Sequence, residues 1–64
     1  MNIERIDKII EMAMKLKKVM QKRGIRAARA KCELCADGYI HGRLAGRKDH
    51  LHMHCDGCDA AMIQ

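Results

Sequence analysis

Two Cys-x-x-Cys pairs, Cys32 with Cys35 and Cys55 with Cys58, flank nineteen residues in a chain of only 64. Three kinds of chemistry use such thiols: two disulfides, one redox pair, or one metal site. The N-terminus is charged from the start, and no apolar run approaches the roughly 18 residues of a membrane-spanning helix. A cytosolic location with reduced thiols and no membrane contact is therefore expected, which disfavours disulfides. A thioredoxin-type pair would want a βαβ context, and the chain shows no such pattern. Metal is the best reading. Two residues between thiols let one tight knuckle present both sulfurs to one ion, and a nineteen-residue hairpin returns the second knuckle to complete a tetrahedron. Four thiolates leave no open position, so one structural Zn²⁺ per chain is expected. Iron in a rubredoxin-like site uses the same ligands, but such cores lean on aromatic residues, and this chain has one Tyr, no Phe and no Trp.

The remaining reactive residues support less. His50, His52 and His54 alternate, so they share one strand face at about 6–7 Å spacing, which is wide for a single ion. A solvated face is the simpler reading, and replacement of Cys55 by His54 as a ligand is unnecessary with four cysteines present. There is no Ser/His/Asp order, no Gly-rich phosphate cradle and no paired carboxylates in a plausible cleft, so an enzyme is not expected.

Residues 1–31 hold ten Lys/Arg against three Asp/Glu, whereas residues 32–64 hold three against five. The positive charge thus lies in an N-terminal arm: eight cations and no acid occupy Lys15 to Lys31. Such a run can be an ordinary solvated helix end, but it is also a concentrated field for phosphates. Lys18, Lys22, Arg23, Arg26 and Arg29 are the candidate nucleic-acid contacts. With so few aromatics, these contacts would go to the backbone rather than to stacked bases. His52 is expected to face away from them on the acidic half.

These side chains need elements to hold them. Ile6, Ile9, Ile10, Ala13, Leu16 and Met20 recur at helical steps, which predicts an amphipathic helix from residue 3 to about 22. Asn2 is its N-cap candidate and Gly24 its stop. "GIRAARAK" that follows is a basic linker or a short helix, the Ala and Arg content favouring helix. Strands are expected at residues 39–45 and 50–55, the second with Leu51, Met53 and Cys55 on one face and the histidines on the other. The last six residues suffice for a turn of helix. The domain plan is then 1–24 basic amphipathic helix, 25–31 linker or short helix, and 32–64 metal module. The module offers little apolar surface to cover twenty residues of helix. Ile6, Ile10 and Leu16 are thus candidates for a partner interface, made adaptable by Met1, Met12, Met14 and Met20. Their outlet would be self-association or docking on a larger protein, such as a polymerase or a host factor.

"KCELC", a hairpin and "HLHMHCDGC" together resemble a zinc ribbon, in which a strand runs directly into the second knuckle. Within that class the segment is similar to the small Com-type zinc-ribbon regulators of phages. The resemblance covers residues 31–59, about half the chain, and implies Cys32, Cys35, Cys55 and Cys58 as zinc ligands. The N-terminal helix lies outside it. A looser likeness of layout exists to the DksA/TraR family, which joins an N-terminal helix to a four-Cys finger and acts on RNA polymerase. This chain has Gly38-Tyr39-Ile40-His41 where that family has a Pro-containing segment. GATA-type fingers share similar spacing but place a recognition helix after the last Cys pair, where this chain has no room for one. The fold expected is small α+β: an N-terminal amphipathic helix followed by a zinc-ribbon β-hairpin module. Two functions follow as expectations, a zinc-stapled nucleic-acid-binding regulator or a protein-interaction module docking its Ile/Met helix face.

Overall fold

The computed structural model describes residues 3–63; the N-cap assigned to Asn2 and the surface role assigned to Met1 fall outside them. Helix α1 (Ile3–Arg23) is followed by strands β1 (Ala27–Lys31), β2 (Tyr39–Ala45), β3 (His50–Cys55) and β4 (Ala61–Ile63). The strands form one antiparallel meander in the order β1-β2-β3-β4. The fold is α+β as expected, with a larger sheet than the sequence suggests. No helix among the described residues is long and apolar enough to cross a membrane.

Helix α1 ends where a glycine allows it. Gly24 takes a left-handed φ of 68°, and the Ile25 N–H donates to the Met20 carbonyl while the Gly24 N–H donates to the Gln21 carbonyl. These two bonds make a Schellman cap, which satisfies carbonyls that the last turn leaves open.

That sharp turn sends the next segment into the sheet instead of into a second helix. Residues 27–31 are a strand, not the linker or short helix expected. Ala28 lies opposite Gly42 and Ala30 opposite Ile40. Alanine's helix propensity is a matter of tenths of a kcal/mol per residue against other ordinary residues, and a paired strand overrides it. Residues 61–63 likewise form a strand, not a turn of helix, with Met62 opposite Met53.

One face of the sheet carries Ile40, Gly42, Leu44, Leu51, Met53 and Cys55, all buried, and α1 packs across it. Helix residues Met12, Ala13, Leu16 and Met20 complete the core, in which Met20 and Leu51 are the largest fully buried side chains. Each such burial is worth about 1.5–3 kcal/mol. Gly42 lets the helix approach: a Cβ there would stand 2.5 Å from Leu16 Cδ2. Leu16 is accordingly core, and so are Met12 and Met20, which cannot serve as an adaptable outer surface. The helix is phased to bury Met12 and leave Ile6 outside.

Candidate metal centre

The four cysteines arrive from all four strands. β1 leads into Cys32, Cys35 precedes β2, β3 ends on Cys55, and Cys58 precedes β4. Their sulfurs all lie within 4.8 Å of one another, and among the described residues no other group of His, Cys, Asp or Glu forms such a cluster. The thiols are free, Cys32 and Cys55 buried, Cys35 and Cys58 half-buried. Across the knuckles, Cys35 Sγ stands 3.7 Å from Cys55 Sγ and Cys32 Sγ 4.0 Å from Cys58 Sγ. A tetrahedral zinc with Zn–S bonds of about 2.3 Å has S···S edges of about 3.8 Å. The donor set and its spacing fit that ion.

The two knuckles repeat one construction. In each, the first cysteine is the buried one, and it accepts a backbone N–H from two residues on. Leu34 donates to Cys32 Sγ at 3.3 Å, and Gly57 donates to Cys55 Sγ at 3.3 Å. The Cys32 N–H reaches the Gly38 carbonyl at 3.0 Å, and the Cys55 N–H reaches the Ala60 carbonyl at 2.8 Å. The knuckles meet glycine to glycine. A Cβ on Gly38 would lie 2.5 Å from Gly57 N, and one on Gly57 would lie 2.9 Å from Gly38 Cα. Ala36, just after the first knuckle, holds a left-handed φ of 59°, which costs a non-glycine residue about 1–2 kcal/mol.

The surroundings of the thiols favour a cation here. Burial is the largest influence on Cys32 and pushes it up, but the Cys35 and Leu34 N–H groups and the Cys55 and Cys35 thiols outweigh it and bring it to about 7. For Cys35 the Asp37 N–H is the largest influence and lowers it. Burial and the sulfurs of Cys55 and Cys32 nevertheless carry it above the usual thiol value. Burial comes first for Cys55 and raises it, with Cys58 and Cys32 adding to the rise. One sulfur ionises readily and its neighbours then resist. A divalent cation among the sulfurs offsets that resistance at Cys35 and Cys55.

A second-knuckle residue ties the site to β2. Asp56 accepts the Tyr39 N–H at 2.7 Å and holds His41 Nε2 at 2.9 Å. The His41 contact first, and the Tyr39 N–H second, keep its carboxyl below the usual carboxylate range. The His41 ring in turn stacks on His54 at 5.3 Å. His50, His52 and His54 do share the face opposite Leu51, Met53 and Cys55, so His54 points away from the sulfurs and is not among the clustered groups.

The basic arm is divided. Lys18, Lys22 and Arg23 are exposed on the last turns of α1. Arg26 is engaged within the fold: its guanidinium pairs with Asp49 at 2.7 Å and donates to the Leu44 and Gly46 carbonyls at 3.2 and 3.4 Å, clamping the β2–β3 turn while its side chain stays 58% exposed. Arg29 lies on the outward sheet face, over the Tyr39 ring at 5.0 Å. The register adds residues that the sequence reading missed. Ala27, Arg43 and His52 lie in one cross-strand row, and Arg29, His41 and His54 in the next. Lys31 and Arg43 therefore share the outward face with Arg29. His52 does not face away from the arm; it stands directly across from Arg43 on the same surface. The helix interface divides too, with Ile6 exposed, Ile10 half-buried and Leu16 in the core.

Comparison with known proteins gave no match to this chain, either among protein-family models, among curated proteins or among solved structures.

Proposed function

We propose that this chain is a small cytoplasmic regulatory protein that contacts nucleic acid, with one zinc ion serving only to hold its sheet together. The supporting observation is the outward face of the sheet, where Arg29, Lys31 and Arg43 stand beside exposed His52 and His54. Lys18, Lys22 and Arg23, exposed on α1 over the opposite face of the sheet, add a second group of cations. Cations spread over an open face bind phosphates without reading bases, so affinity is salt-dependent and sequence-tolerant. A zinc held by four thiolates has no position for substrate, so on this reading the metal is structural and the protein acts by binding. A Com-type ribbon regulator is the relative this reading implies.

Gel shifts with duplex DNA and structured RNA test it. Binding at about 0.15 M salt is expected to weaken as salt rises, with a log–log slope of about −0.9 per phosphate contacted on B-DNA. Replacing Arg29 and Arg43 with Ala should flatten that slope by about two contacts and leave zinc content intact. Arg26→Ala should act on the fold through Asp49 instead. No shift with either nucleic acid ends the reading.

A second reading is favoured by exposed Ile3, Ile6 and Met14, which are 68%, 41% and 58% accessible on α1. On that reading the helix docks on a larger protein or on a second copy. Ile6→Asp would then abolish binding, and nucleic acid would play no part.

A further inference from the structure

We propose that the free edge of β1 receives an extended peptide strand in which acidic and apolar residues alternate. The argument begins with the backbone. β1 is a terminal strand of the sheet, with β2 on one side and no strand among the described residues on the other. The Leu44 N–H donates to the Arg26 carbonyl and the Cys32 N–H to the Gly38 carbonyl. In an antiparallel ladder these narrow pairs alternate with wide ones. Arg26, Ala28, Ala30 and Cys32 therefore turn their backbone groups towards β2. Ala27, Arg29 and Lys31 turn theirs outward, a ready template for another strand.

Side chains on either face of that edge select the partner. Towards the helix, β1 and α1 enclose a groove of about 260 Å³ lined by Met12, Leu16, Val19, Ile25, Ala28 and Ile40. Val19 and Ile25 are 45% and 37% exposed there. Every second side chain of an added strand would drop into this apolar groove. The others would lie on the outward face, directly across from Arg29 and Lys31. Among the charged residues of the groove, Lys15 is already bridged to Glu11 and Glu33 to Lys8. Arg23, Arg29 and Lys31 have no ion pair among the described residues, so acidic side chains complement the edge.

The same charges weigh against a second copy of this chain. The full-overlap two-fold register of β1 on β1 sets Arg29 against Arg29, and the register centred on Ala30 sets Arg29 against Lys31; like charges directly opposite are destabilising, and only the register centred on Ala28 avoids them. The edge is thus biased against self-pairing and left open to an acidic strand. This inference is independent of the nucleic-acid reading, because its ligand, its groove and its assay involve no nucleic acid.

The test uses the zinc-loaded full chain and two short capped, fluorescent peptides, one alternating Glu and Val, the other alternating Lys and Val. Anisotropy should show saturable binding of the Glu/Val peptide, favoured on the order of tenfold or more over Lys/Val. Hydrogen exchange should slow at the amides of Ala27, Arg29 and Lys31. Changing Arg29 and Lys31 together to Glu should reverse the preference. Should that variant lose zinc, the two peptides compared on the unaltered chain still decide. Absence of saturable Glu/Val binding, equal binding of both peptides, or protection confined to β4 would overturn the proposal.

Discussion

On the proposed zinc reading, a strong chelator is expected to dissolve the whole sheet, not only the knuckles. Each of the four strands is entered or left through a cysteine, and Cys32 and Cys55 are themselves part of the buried core. The rest of that core is Met, Leu, Ile and Ala around Met20 and Leu51. A core of this size supplies about 3–5 kcal/mol at best, whereas structural zinc sites contribute about 10–16 kcal/mol near neutral pH. Without the ion only the smaller quantity remains, reduced further by buried thiols facing one another with no cation to hold them together. Without the sheet, α1 has no surface to bury Met12, Leu16 and Met20, and a helix of this length is marginal in water alone. NMR amide dispersion should therefore collapse in β2 and β3 as chelator is added, with helical circular dichroism falling alongside it. Dispersed β2 and β3 amides in a demonstrably metal-free chain would refute this. Acidification should release the ion as well, since protons compete for all four thiolates.

Gly38→Ala is the second large effect. The added methyl would meet Gly57 N at 2.5 Å and Gly57 Cα and Asp56 Oδ1 at 2.7 Å. Two of these are backbone atoms of the opposite knuckle, so no rotamer change can relieve them. The knuckles must separate, and both short sulfur pairs, Cys35–Cys55 and Cys32–Cys58, run between knuckles. Zinc affinity is expected to fall about 100-fold, the upper scale for changes just outside a ligand set. Competition with a chromophoric chelator reads this directly. Ala36→Gly, in the same loop, should act in the opposite sense, because it relieves a positive φ at that position. Unchanged affinity in Gly38→Ala would mean that the knuckles are not in contact.

The parts of this molecule that were legible in the sequence are those encoded locally. A Cys-x-x-Cys pair is its own chemical statement, and two of them with a hairpin between leave little choice of ligand set. Helix α1 and strands β2 and β3 announce themselves by steps of three and four or of two. The parts that were missed depend on residues far away in the chain. β1 is a strand because Ala28 and Ala30 find Gly42 and Ile40; only the alternation of small and basic residues hinted at it. β4 has three residues and exists through Met53. Leu16 is buried instead of offered to a partner because Gly42 opens a place for it, which helical periodicity alone cannot reveal. Arg26 reads in the sequence as one more cation of the arm, because its partner Asp49 lies 23 residues on. The face of His52 followed from alternation, but its neighbours followed from register.

Zinc K-edge X-ray absorption on the purified chain, joined to its native mass, tests the central claim most directly. One zinc per chain with four sulfurs at about 2.3 Å and no nitrogen or oxygen in the coordination shell is the predicted result. A shell containing histidine nitrogen, or a folded chain that carries two disulfides and no metal, would contradict it.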